Sequence, residues 1–170
     1  MMKERQSHWY DWIIGLTALI ILGLSTFYIW LLWSTFEKQI PLSYSFWGVP
    51  KLPVAYGNRG PIRDTLITGW IVVILLTFIG LFPQMWQTGA NLLEEERKIV
   101  IPKARTMIEA IKLELSVFIS YLAIQTAHSQ KLFVLTKLLL VLAILFTLGW
   151  TIYKIDAALQ DIKKENPDDA

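Results

Sequence analysis

The sequence predicts an all-α integral membrane protein: four transmembrane helices in a bundle, with an ordered Pro/Gly/aromatic loop between the first two. Three observations predict it. Hydrophobic residues make up 54% of the 170-residue chain and charged residues only 18%, where a soluble domain carries about a quarter. The missing charge leaves four apolar runs, each close to the roughly 20 residues that cross a bilayer core. Tryptophans stand near the ends of three of those runs, where amphipathic rings meet the headgroups. The chain is therefore read as one membrane domain, 1–170, with spans near 10–33, 65–86, 106–127 and 132–154.

Trp9, Trp12, Trp30 and Trp33 bound the first span. From Trp12 to Trp33 a helix rises about 31 Å, the thickness of the hydrocarbon core. Lys3 and Arg5 precede it, but the run is too long for a signal peptide and has no small-residue cleavage site, so an uncleaved anchor is expected. The outer loop, 34–64, follows. Trp70 and Trp86 suit the interfacial belt of the second span, and Pro83 near its end reads as a tolerated kink. In the loop 87–105, Glu94, Glu95 and Glu96 can pair with Arg97 and Lys98 along a short helix, which Pro102 is expected to end before the third span. Trp150 marks the fourth span, and the polar tail 156–170 is expected to fray after one or two turns. The helices are expected to pack through Leu, Ile, Val and Phe surfaces with scattered Ser and Thr.

Lysine and arginine give the orientation. Nine cations (Lys3, Arg5, Arg97, Lys98, Lys103, Arg105, Lys154, Lys163, Lys164) share the side of the termini, and five (Lys38, Lys51, Arg59, Arg63, Lys131) the other. The positive-inside rule then puts both termini in the cytoplasm of an inner or plasma membrane, and the loop 40–60 outside.

Chemistry-bearing motifs are scarce. Cysteine is absent, which excludes disulfides, thiolate metal sites and cysteine catalysis. The net charge of +2 is small and spread out, so nucleic acid is not implied. His8 and His128 are the two histidines, each at a membrane interface, and no metalloprotease, phosphate-loop or triad pattern occurs. No enzyme activity, metal or cofactor is expected.

The third span is the unusual one. Arg105, Glu109, Lys112 and Ser116 share one helix face, and Glu114, Tyr121, Gln125 and His128 lie nearly opposite. Glu109 and Lys112 are expected to snorkel to the headgroups. Glu114 is deeper, and a carboxylate there should face protein and find donors on another helix. Thr68, Thr77, Ser25, Thr26 and Tyr28 are the candidates. A structural polar contact and a track for ligand or proton handling are both open readings.

The loop reads IPLSYSFWGVPKLPVAYGNRG over 40–60. Its prolines fix φ and its glycines permit tight turns. Phe46, Trp47, Val49, Leu52, Val54 and Tyr56 are expected to pack onto the bundle rather than lie in water. The segment resembles a short domain of unknown function in the immunity protein of the sporulation-delaying-protein toxin system, also found in many small bacterial membrane proteins. Ile40, Pro41, Tyr44, Gly48, Pro50, Tyr56, Gly57, Asn58 and Arg59 match its pattern. So does the position after the first span. The stretch MIEAIKLELSVFISYL, beginning at Met107, looks like the family's next helix. Ser43, Ser45 and Lys51 replace the family's His, Asn and Asp, and four extra residues separate Pro50 from Tyr56. Loop shape is thus better matched than loop chemistry.

The resemblance implies a non-enzymatic protein of toxin immunity or envelope stress that binds a peptide or protein partner. Pro41, Tyr44, Trp47, Gly48, Pro50, Tyr56, Gly57 and Arg59 are the candidate contacts, and Glu109, Lys112 and Glu114 the intramembrane polar set. Membrane lipids are the other expected partner. A homo-oligomer and an accessory subunit of a larger membrane complex both remain open.

Overall fold

The computed structural model describes residues 2–44, 53–82, 94–128 and 134–165. In chain order these form α1 (Met2–Leu31), β1 (Ile40–Tyr44), β2 (Pro53–Gly57), α2 (Gly60–Leu81), α3 (Glu94–Ala127) and α4 (Val134–Glu165). Three stretches, Trp9–Leu31, Gly60–Leu81 and Thr136–Asp161, are long and apolar enough to cross a membrane.

The helix outside these three, α3, is the one that holds the others. α3 packs against α1, α2 and α4, whereas α1 and α2 touch each other little. Among the described residues of α3, Val117 is its one exposed large apolar side chain; α1, α2 and α4 each expose many. The helix with the weakest apolar signal thus lies at the centre, and the strongly apolar helices surround it.

Buried positions recur mostly at steps of three or four residues. On α1 they are Asp11, Gly15, Ala18, Leu22, Ser25 and Ile29; on α2, Ile62, Leu66, Gly69, Val73 and Gly80. The α3 face comprises Glu109, Lys112, Ser116, Ser120, Ala123 and Ala127. This is the near-heptad spacing of closely packed helices. Half or more of the stripes on α1 and α3 are small or polar. The expected packing through large apolar surfaces holds for Leu22, Ile29, Ile62, Leu66 and Val73, with Leu19, Ile119 and Ile124 partly buried against the same core. Large chains gain nothing by leaving lipid for protein, while small ones let backbones approach and polar ones find partners. Gly69 shows the closeness: a β-carbon there would sit 2.6 Å from Ile119 Cγ2.

Several boundaries differ from expectation. Pro102 does not end a helix; it lies inside α3, which continues through it from Glu94. One backbone donor is lost, but α3 packs on three helices, and the Thr106 hydroxyl oxygen lies 3.1 Å from Pro102 O. α2 starts at Gly60, ahead of position 65, and ends at Leu81. Phe82 adopts φ −115° and ψ 70°, outside the helical region, as a residue before proline prefers. Pro83 and Trp86 lie outside the described residues. α4 runs to Glu165, further than the fraying expected after Asp156.

The loop contains two strands. β1 and β2 pair antiparallel, Ile40 with Gly57, Pro41 with Tyr56, Ser43 with Ala55 and Tyr44 with Pro53, with irregularities around Ser43. Proline is tolerated because each strand of a two-stranded ribbon has an open edge.

Candidate functional site

A ladder of polar contacts runs along α3, and it organises the site. Lys103 Nζ donates to Lys154 O of α4 at 2.6 Å. Burial, then the neighbouring Lys154 charge, hold the Lys103 ammonium below the usual lysine range, with Asp161 acting the other way. Thr106 Oγ1 donates to Asp11 Oδ1 of α1 at 2.7 Å. Lys112 Nζ lies 2.5 Å from Glu109 Oε2 and 3.3 Å from Thr77 Oγ1 of α2, to which it donates. Thr147 Oγ1 of α4 donates to Glu114 Oε1 at 2.6 Å. Ser25 and Ser120 share a hydrogen bond of 2.9 Å. At the far end, Tyr28 Oη and His128 Nε2 are 3.0 Å apart.

Glu109 and Lys112 therefore do not snorkel. Their side chains are only 10% and 3% exposed, inside the bundle. Two glycines make the room. Gly15 of α1 faces Glu109 Oε2 so closely that any β-carbon would collide with it, and a β-carbon at Gly80 of α2 would stand 3.4 Å from Oε1. A cavity of about 200 Å³ adjoins the pair between α1 and α2, with Asp11, Thr77, Arg105 and Trp12 in its wall. Asp11 is 1% exposed, and its Oδ2 has no hydrogen-bond partner among the described residues. Chemically, the cluster is a buried ion pair with a second carboxylate nearby, bridging three helices.

Glu114 faces protein, with a partner on another helix, but that partner is Thr147 and none of the five candidates. The reason is angular. Position 114 lies about 200° around the helix from 112, so it looks at α4 while Lys112 takes Thr77. Glu114→Gln is expected to cost about 1 kcal/mol or less, because an amide oxygen still accepts. Glu114→Leu should cost about 1–3 kcal/mol by stranding the Thr147 hydroxyl. Thermal unfolding in detergent measures both, and equal losses would mean that the Thr147 bond contributes nothing.

Asp11 was not legible as a site residue. It stands between tryptophans in an apolar run, where it resembles a boundary residue. The readable signal was a different one: Asp11 begins the α1 stripe of small and polar residues. Thr147, a lone hydroxyl in an apolar helix, carries no such signal.

The ribbon end is built around Arg59. Its guanidinium donates to Trp33 O at 2.7 Å, to Glu37 O at 2.9 Å and to Phe36 O. It also lies 5.8 Å from the Trp33 ring centre. Carbonyls of the turns that follow α1 thus obtain donors, and the start of α2 is tied to them. Asn58 Oδ1 accepts from Gly60 N at 2.9 Å, turning the chain into α2 where Pro61 occupies the first turn. Fully buried Ile40 and nearly buried Phe36 root the ribbon in the core. Of the candidate contacts, Pro41, Tyr44, Tyr56 and Gly57 fall on the two strands, and Arg59 is engaged by backbone carbonyls. Trp47, Gly48 and Pro50 lie outside the described residues, as do Phe46, Val49 and Leu52. Trp70, expected in the interfacial belt, is half-buried and donates from Nε1 to Thr26 Oγ1 at 3.1 Å.

Comparison of the chain with protein-family models, with curated proteins and with solved structures finds no match. Function is therefore argued from these residues.

Proposed function

We propose that the chain is a four-span membrane protein whose outer ribbon docks a peptide or protein partner, in the manner of an immunity or envelope-stress protein. Supporting α3 as a further span is its place against all three apolar helices. A helix shielded from lipid by its neighbours can carry Glu109, Lys112 and Glu114, because each finds a partner within the bundle. Both termini lie in the cytoplasm, on the cation asymmetry.

The observation that carries the docking reading is the anchored ribbon. A two-stranded hairpin alone is marginal. Here Arg59, Ile40 and Phe36 hold its base, while among the described residues neither outer edge pairs with a further strand. Open edges accept an added strand through main-chain hydrogen bonds.

The test places a photo-reactive residue at position 56. Irradiating intact cells should give one discrete adduct, and a single cysteine at the same position should react with a membrane-impermeant maleimide. No adduct at 56, or the same adduct from a control position on α4, sinks the docking reading. Failure of the maleimide to react inverts the topology. One observation favours a second reading as an accessory subunit: the spanning part of α4 has no fully buried residue. A specific adduct from α4 into a large complex would support that reading.

A further inference from the structure

Beside the ribbon, the seam between α1 and α2 stands open. Each helix leans on α3 rather than on the other, which leaves a crevice of about 340 Å³ between them. Its wall is almost wholly apolar, with Ile29, Trp30, Leu66 and Ile67 along its length. The Trp70–Thr26 hydrogen bond bridges the helices at one end. At the other end Trp33 and Arg63 line both this crevice and a second, polar groove of about 380 Å³. Thr26 to Trp33 and Trp70 to Arg63 are each seven residues, so the crevice runs about 10 Å along the helix axes.

The polar groove is cationic. Lys38, Arg59 and Arg63 line it with Asn58, and among the described residues no carboxylate does. Asp64 pairs with Arg63 at 3.1 Å, where both side chains are more than 60% exposed. Arg59 gives three of its N–H groups to carbonyls, which fixes its charge at the rim and leaves two of the five donors of a guanidinium.

We propose that this compound site binds an anionic phospholipid from the leaflet at the ribbon end. The phosphate sits among Lys38, Arg59 and Arg63, and one acyl chain lies in the crevice. Charge decides the occupant. An uncharged amphiphile gains nothing from three clustered cations, and a free anion leaves an apolar slot unfilled. Basic pockets between helices recognise acidic headgroups on the same physical grounds, and Trp33, at the polar end of the crevice, suits the headgroup level.

The experiment uses the full chain, stripped of lipid in mild detergent. Thermal unfolding and native mass spectrometry are followed with added phosphatidylglycerol, phosphatidylcholine of the same acyl chains, or inorganic phosphate. Phosphatidylglycerol is expected to raise the midpoint and to remain bound at least tenfold better than phosphatidylcholine, and phosphate alone is expected to do neither. Lys38→Gln/Arg63→Gln should abolish the preference between the two lipids. Ile67→Trp, at a half-exposed crevice position, should weaken retention of both. Lys38→Gln alone, at an exposed position, should give a smaller loss in the same direction and covers failure of the double variant to fold. Equal retention of the two lipids by the unaltered chain, a preference that survives the charge variants, or full stabilisation by phosphate alone would overturn the proposal.

Discussion

Replacing Lys112 with methionine is expected to remove about 3–5 kcal/mol of folding stability, the usual cost of leaving one member of a buried ion pair alone. Methionine fills the space of the lysine stem, so the loss reports charge rather than volume. Glu109 would remain between the backbones of Gly15 and Gly80 without the ammonium that stands 2.5 Å from it. The double variant Lys112→Met/Glu109→Gln should recover most of the loss, because the buried charge disappears together with its partner. Thermal or denaturant unfolding in one detergent compares all three proteins. A single variant as stable as the unaltered chain, or a double variant worse than the single, would show that the pair is not what holds α3 between α1 and α2.

Arg59→Gln is expected to cost about 2–4 kcal/mol, since each charge-assisted bond to a carbonyl contributes about 1.5–3 kcal/mol and the site is partly exposed. The effect should be local. Backbone amides over 40–57 should exchange hydrogen at least tenfold faster, while those of α3 from 109 to 127 barely change. Arg59→Lys should behave much like Arg59→Gln, because a single ammonium cannot reach three carbonyls held by a planar fork. Unchanged exchange over 40–57 would falsify the view that this clamp orders the ribbon. It would also return Arg59 to the set of side chains free to contact a partner.

The two results bear on how a sequence of this kind is read. Long apolar runs placed α1, α2 and α4 well, because crossing lipid demands about 20 residues without charge and tertiary packing cannot relax that demand. Helix ends were less legible. Pro102 carries a strong local signal to stop, yet α3 overrides it with contacts to three neighbours. The strands at 40–44 and 53–57 were hidden by prolines that would be excluded from a central strand but are allowed at an open edge.

Composition and periodicity alone established that the chain is built for a membrane, which residues of α3 share a face, and that Glu114 had to meet protein. Each follows from local rules: residue transfer energies and the geometry of one helix. Partner identities did not follow. Thr147 rather than Thr77 for Glu114, Thr77 for Lys112, Thr106 for Asp11 and three carbonyls for Arg59 all depend on how far each helix slides and turns against the next. That placement is set by the summed packing of Gly15, Gly69 and Gly80 against α3, and no single segment encodes it. A hydroxyl or glycine looks the same in sequence whether it faces lipid or a carboxylate, and assembly of the helices settled which it did.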